Sequence, residues 1–219
     1  MAAAFRMKSS SVHLIAAGRF GVAVAERLSA VLESTATTHA DPSGRFWSQM
    51  WPPARMHVLC AWRAMPWLAD RVDDLAFAWG TPWLPVVCEH PELRVGPLVV
   101  PGSGPCYGCF RMRLAQHVPS EQLTAELHSH YDADPTAGPR GHVPFHALLA
   151  AAAARSVIES GQPGRVLQLN LVTQKSGSGR VVGVHGCPRC GGRVPERTRG
   201  HERLQLDVAR VLDSIEPDA

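Results

Sequence analysis

The sequence holds no run of apolar residues long enough to cross a membrane. Its first eleven residues lack the order of basic, apolar and cleavage-site segments that marks a secretory signal. Charge of neither sign dominates. The 219 residues carry a formal net charge of +3, which gives no bulk electrostatic argument for nucleic acid. These absences point to the cytoplasm and exclude membrane and nucleic-acid partners. Leu, Ala and Val are plentiful, enough for one α/β domain with an appendage.

Six cysteines are present, and four stand in two C-x-x-C pairs, Cys106/Cys109 and Cys187/Cys190. Between the pairs lie 77 residues, far more than in a small zinc finger. Each pair can hold one metal through thiolates, with Gly and Pro letting the backbone turn around it. Four sulfurs close a tetrahedron and leave no position for water. The spacing therefore predicts a structural Zn(2+) site, tying mid-chain to a point near the C-terminus, in a reducing compartment. Cys60 and Cys88 fall in apolar runs and read as buried thiols.

Ser11 to Ala17 reads as a buried strand, Gly18-Arg19-Phe20-Gly21 as a turn, and Val22 to Leu32 as a helix. Strand, glycine turn and helix open a Rossmann-like unit. The fingerprint G-x-G-x-x-G is degenerate here, with Ala16 at its first glycine. Gly18 could still admit a phosphate, Gly21 could allow close helix packing, and Asp41 falls where a ribose hydroxyl would be held. The other reading is a fold relic in which these residues serve turns only. Further strands are expected at Thr35 to Ala40, Met56 to Ala61, Trp83 to Cys88 and Val95 to Val100, with a helix from Trp67 to Trp79. The alternation predicts a mostly parallel α/β sheet.

Trp47, Trp51, Trp62, Trp67, Trp79 and Trp83 cluster between the second and fourth strands. They read as core. A docking surface over Phe46 to Pro53 is the other reading. The first cysteine pair should cap a helix reaching His117, and Ser120 should N-cap another with Leu123 and Leu127 on one face. His142 to Ser160 is expected to be a long helix whose alanine run, Ala150 to Ala154, allows close packing. His142 and His146, one turn apart, read as surface histidines rather than ligands. Arg165 to Thr173 and Arg180 to His185 should form a hairpin turning through Ser176-Gly177-Ser178-Gly179. Glu202 to Ile215 shows one apolar helical face. Arg189, Arg193, Arg197, Arg199 and Arg203 form a basic cluster, either a solvated face or a hold for an acidic peptide. The expected organisation is a Rossmann-like half over 1–105, a zinc-bound helical insert and hairpin completing the same domain over 106–195, and a C-terminal helix over 196–219.

A Rossmann-like half followed by two distant C-x-x-C pairs resembles the ThiF/MoeB/ubiquitin-activating superfamily, which adenylates C-terminal carboxylates. The segment Gly96-Pro97-Leu98-Val99-Val100-Pro101-Gly102, then Pro105-Cys106-Tyr107-Gly108-Cys109 and Arg111-Met112-Arg113, is similar to the motif of bacteriocin cyclodehydratase C proteins, the ocin-ThiF-like branch. Gly186-Cys187-Pro188-Arg189-Cys190 is similar to the closing knuckle of that branch.

The resemblance implies a ThiF-like fold with a four-cysteine zinc knuckle and no catalytic residue of its own. It implies service to a YcaO-type cyclodehydratase, which uses ATP to cyclise Cys, Ser or Thr of a precursor peptide. Lost adenylation agrees with Ala16 and with Arg45 as the one loop-arginine candidate. It also agrees with the absence of Asp between Ala61 and Asp70. About ten residues precede the first strand, so either a separate leader-binding protein supplies recognition or this chain has another role in the complex. Superfamily analogy adds a homodimer. The alternative is an adenylating enzyme acting on a peptide or carrier-protein carboxylate.

Overall fold

The computed structural model describes residues 12–40, 51–118, 120–139 and 141–191. Asp41, Arg45, Phe46, Trp47, Met50, the four arginines after Arg189 and the amphipathic segment 202–215 lie outside them.

Strand β1, Val12–Ala17, is buried at every position. It lies between β2, Thr35–Ala40, and β3, Met56–Ala61, and pairs parallel with both. Parallel strands covered on both faces read as continuous apolar runs, which is why His-Leu-Ile-Ala-Ala carries no polar alternation beyond its histidine. β4, Trp83–Glu89, adds parallel to β3. From there the sheet changes direction. β5, Glu92–Val95, β6, Arg165–Asn170, and β7, Ser176–Arg180, each pair antiparallel with the preceding strand. The result is one seven-stranded sheet ordered β2-β1-β3-β4-β5-β6-β7. A parallel Rossmann-like half thus continues into an antiparallel half.

Helices cover both faces. α1, Gly18–Ser29, and α5, Pro144–Ser160, lie on one face, over Leu14, Val58, Val86 and Val95. The alanine run does what its size permits: Ala147, Ala150, Ala151 and Ala154 are buried, and α5 packs along α1. α2, Pro66–Trp79, and α3, Tyr107–Ala115, cover the other face, over Ile15, Leu59, Trp83 and Val87. Leu68, Val72 and Ala76 form the buried stripe of α2, and Gly80 ends it in the left-handed conformation. α4, Glu121–Ala133, starts where Ser120 caps it, Oγ accepting from the Leu123 N–H at 3.2 Å. It buries no residue, and Leu123 and Leu127 are exposed. What holds its end is Arg63, buried against the Tyr131 ring and donating to the Tyr131 carbonyl at 2.8 Å.

Three expected elements shift. Gly18 to Gly21 form the first turn of α1 rather than a turn ahead of it, and the helix ends at Ser29. The fifth strand ends at Val95, where the Val95 to Val100 reading would start it. Gly96 has φ +108°, and its backbone passes so close to Arg165 that a Cβ would lie 2.4 Å from the Arg165 carbonyl oxygen. Val99 then makes only a bridge to Trp83. The hairpin exists, but Ser176 to Gly179 form its second strand and not its turn. Asn170 builds the turn instead, its Oδ1 accepting from the Val172 and Thr173 N–H groups, with Gln174 at positive φ.

The tryptophans divide. Trp83 and Trp51 are buried and Trp62 packs against the α1 side of the core, whereas Trp67 and Trp79 are about half exposed. Among the described residues no helix is long and apolar enough to cross a membrane.

Gly21 sets how near α1 can come to the sheet, since a Cβ there would lie 2.2 Å from the Cys60 carbonyl oxygen. Gly21→Ala should therefore destabilise by about 3 kcal/mol, the upper range for overpacking. Gly80→Ala, where a Cβ meets nothing within 4 Å, should cost only the left-handed backbone penalty of about 1–2 kcal/mol. Urea denaturation of the two variants checks the difference.

Candidate metal centre

The two cysteine pairs reach each other through three elements. Cys106 is the N-cap of α3 and Cys109 sits in its first turn. The N-terminal end of a helix favours negative charge, which lowers the cost of thiolates there. The hairpin β6–β7 carries the chain back past Val184 to Cys187. Cys187 N–H donates to the Val184 carbonyl at 3.2 Å, and Gly191 N–H donates to the Cys187 carbonyl at 2.8 Å. Gly191 has to be glycine, because a Cβ would lie 2.4 Å from the Cys187 nitrogen.

The four Sγ atoms lie within 4.8 Å of one another. Cys106–Cys109 is 3.8 Å, Cys106–Cys187 3.6 Å and Cys109–Cys190 3.3 Å. A zinc–sulfur bond of about 2.3 Å gives a tetrahedral edge of about 3.8 Å, so these separations fit a tetrathiolate. Val184 N–H points at the Cys109 sulfur at 3.3 Å, as a second-sphere donor to a thiolate would. Cys106, Cys109 and Cys187 are buried, with Val181 and Val184 against them. The electrostatics agree with the geometry. Burial pushes the Cys106 thiol up to about 11 and the Cys190 thiol up as well. At Cys187 burial also raises the pKa, but N–H donors from Cys190 and Arg189 and the neighbouring thiols outweigh it, bringing it to about 6. Ionising all four sulfurs together requires a cation. Among the described residues this is the one group of three or more ligand-type side chains close enough to share a metal.

Arg189, inside the second knuckle, is not a solvated charge. It donates to the carboxylates of Asp73 and Asp74 on α2 and lies over the Phe77 ring. Asp73 also accepts from Trp83 Nε1 at 2.9 Å. The knuckle is thereby tied to α2 and to the central strand β4.

The glycine turn is formed differently from a nucleotide cradle. Gly18 has φ +69°, but the Trp62 indole packs on it so closely that a Cβ would lie 2.2 Å from Trp62 Cδ1. Gly18 follows β1 and Trp62 follows β3. α1 leads to β2 on one side of β1 and α2 leads from β3 to β4 on the other. The indole therefore sits at the point where strand order reverses, where ligands of open α/β sheets bind. A nearby cavity at the carboxyl ends of β3 and β4 measures about 50 Å³ and is lined by Leu59, Met65, Glu89, Arg94, Tyr107 and Phe110, among others. A pocket for a drug-sized ligand needs about 300 Å³ or more. Asp70, the first acid after β3, pairs with Arg111 instead.

His142 stacks edge-on against Phe20, and burial lowers the pKa of His146. Cys60 and Cys88 are buried, their thiols pushed up to about 12 and about 11 by desolvation. Sequence reasoning misses another pair, His13 and His57, which face each other across β1 and β3 in register. Their Nδ1 atoms are 3.0 Å apart, His13 Nε2 meets Thr38 Oγ1 at 2.8 Å, and Trp51 stacks on both rings. Both rings are fully buried, and desolvation lowers each to about 4. Histidine at matching positions of adjacent strands was the available signal.

No family model matches the sequence, and no curated protein does. Solved structures do share the fold. A heterocyclase in complex with substrate and cofactor superposes with a TM-score of 0.58 at 20% identity, over 83% of this chain and 25% of that one. The heterocyclase TruD gives 0.56 at 20% identity, over 83% and 27%. The Escherichia coli microcin synthetase McbBCD complex gives 0.57 at 14% identity, over 83% of this chain and 70% of the matched one. The chain thus spans about a quarter of the length of the two heterocyclases, and what it shares with all three is the fold.

Cys106→Ser and Cys187→Ser should each lose the bound metal and lower the Tm together, because ligand loss removes metal-binding free energy from the folded state. Metal analysis by mass spectrometry and thermal unfolding, with one zinc per chain expected in the parent, check this. The histidine pair folds neutral. Its contribution is fully present above pH 6.5 and is lost as pH falls toward 4, on the order of 3 kcal/mol for each ring. Urea midpoints across that window should fall, and His13→Leu with His57→Leu should flatten the fall.

Proposed function

We propose that this chain is a non-catalytic, ThiF-like subunit in the biosynthesis of a ribosomally made, azole- or azoline-modified peptide, assisting a YcaO-type cyclodehydratase. The observation that carries this is the Trp62 indole packed on Gly18 at the switch point of a fold shared with heterocyclases and a microcin synthetase. The framework is retained while the nucleotide position is filled by a side chain. In this reading Cys106, Cys109, Cys187 and Cys190 hold a structural Zn(2+), which supplies folding free energy and no reaction chemistry. Gly18 and Gly21 serve packing, and Asp41 has no ribose to hold. The partners are the cyclodehydratase, the precursor peptide or a separate leader-binding protein, and a second copy of this chain, all in the cytoplasm.

What the chain contributes is position. Arg189 locks the knuckle to α2, and Arg63 locks the end of α4 to the loop after β3. A partner therefore meets a surface held at both ends, and ordering costs on association fall.

The test is a reconstitution. Precursor peptide, ATP and the YcaO-type enzyme are combined with and without this chain, and ring formation is followed as loss of water by mass spectrometry. Addition should raise the rate by about tenfold or more, a barrier change of about 1.4 kcal/mol. ATP–pyrophosphate exchange by this chain alone should stay at background with the peptide present. Equal rates with and without the chain overturn the assisting role, and robust exchange favours the adenylating alternative.

A further inference from the structure

The last strand of the sheet is built unlike a strand that closes a sheet. β7 reads Ser-Gly-Ser-Gly-Arg, is exposed at all five positions and, among the described residues, pairs on one side only, with β6. Proteins usually protect such an edge with an interior lysine, a proline, a bulge or a cover. β7 has no proline, and its register with β6 runs unbroken from Leu169↔Ser176 to Arg165↔Arg180. A Cβ on Gly177 or Gly179 would meet nothing within 4 Å. Glycine is also a poor strand former, so side-chain packing does not explain this composition.

The ladder shows which backbone groups are open. Asn170 N–H donates to the Lys175 carbonyl, and Val181 N–H donates to the Gly164 carbonyl. Alternation in an antiparallel pair then turns the backbone of Lys175, Gly177, Gly179 and Val181 toward β6. Ser176, Ser178 and Arg180 turn their N–H and C=O groups to the open edge. These groups sit at every second residue, the spacing an added strand needs.

We propose that the β7 edge is a docking site for an extended, acidic segment of another polypeptide, which adds as an eighth strand. The charge pattern selects the occupant. Lys175 and Arg180 bracket the strand, no acidic residue lies on it, and neither pairs with a carboxylate among the described residues. A second copy of β7 is disfavoured in either direction. Antiparallel pairing about Ser178 sets Arg180 opposite Ser176 and Lys175 opposite Val181, which doubles the positive charge along the joined strands and supplies no carboxylate to offset it. Parallel pairing sets each cation against itself. Like charges across a strand pair destabilise it, whereas carboxylates at both ends of an incoming strand meet a cation at each. That the partner is a polypeptide rests on the function proposed above. The docking itself can be read on the isolated chain without enzyme or ATP, so its failure and the failure of ring-formation assistance are separate results.

The experiment uses the full chain and a capped synthetic peptide, Glu-Thr-Val-Thr-Val-Glu, with Lys-Thr-Val-Thr-Val-Lys as its counterpart. Amide hydrogen exchange is read by NMR. The acidic peptide should slow exchange at Ser176, Ser178 and Arg180 by at least tenfold and leave Gly177 and Gly179, already bonded to β6, unchanged. Ser178→Pro removes one outward N–H and no bond to β6. It should abolish the slowing while Tm and metal content stay at parent values. Lys175→Glu combined with Arg180→Glu should transfer the preference to the lysine-flanked peptide. No slowing with the acidic peptide overturns the proposal. So does equal slowing with both peptides in the parent, or protection of those amides by self-association without peptide.

Discussion

Four sulfurs brought within 4.8 Å impose the constraint on which the second half of the molecule depends. Thiolates that close repel one another, and buried thiols resist ionisation. Burial accordingly drives Cys106 and Cys190 upward while Cys187 falls to about 6. A tetrahedral cation removes both penalties at once. Besides the sulfurs, Arg113 joins α3 to the end of the hairpin, donating to the Val182 carbonyl at 3.5 Å and the Gly183 carbonyl at 3.4 Å. The apolar contribution there is only Val181 and Val184, and the hairpin's last strand has no apolar side chain. Arg189 extends the same clamp to Asp73 and Asp74, and through Asp73 to Trp83 in the central sheet. Sulfur cluster, ion pairs and indole N–H thus form one chain of contacts from the knuckle to β4.

The other half keeps the strand, glycine turn and helix of a Rossmann-like unit, with an indole packed on the turn. Gly21 still performs the packing role of its position, with Cys60 directly beneath it. Gly18 still takes a positive φ. What lies over it, though, is an indole belonging to the next strand's exit. The Trp62 side chain also packs against the core shared by α1 and α5.

Much of this was legible. The cysteine spacing named all four candidate ligands, and periodicity placed β1, β3, β4, α2 and α5 to within a few residues. Ser120 was legible as an N-cap because its mechanism is local. Misreadings arose where a distant contact decided. Gly96 ends a strand because the Arg165 backbone lies against it, and Ser176 to Gly179 extend because Asn170 makes the turn earlier. Periodicity cannot see either partner. Trp62 over Gly18 and His13 beside His57 are likewise products of strand register, which sets residues 44 apart side by side.

The misread hairpin also bears on how the two halves divide the work. A Ser-Gly repeat is a turn in most settings because it has neither bulk nor branching to favour extension. It is held extended here between a turn fixed by Asn170 and a knuckle fixed by sulfur. Its extension therefore depends on the clamp rather than on its own side chains. Closure of the knuckle at one end would add to the β6 register in keeping the outward backbone groups of Ser176, Ser178 and Arg180 in a straight edge. Among the described residues the sulfur cluster and the positively bracketed β7 edge are thus joined by one short stretch of chain, Val181 to Cys187.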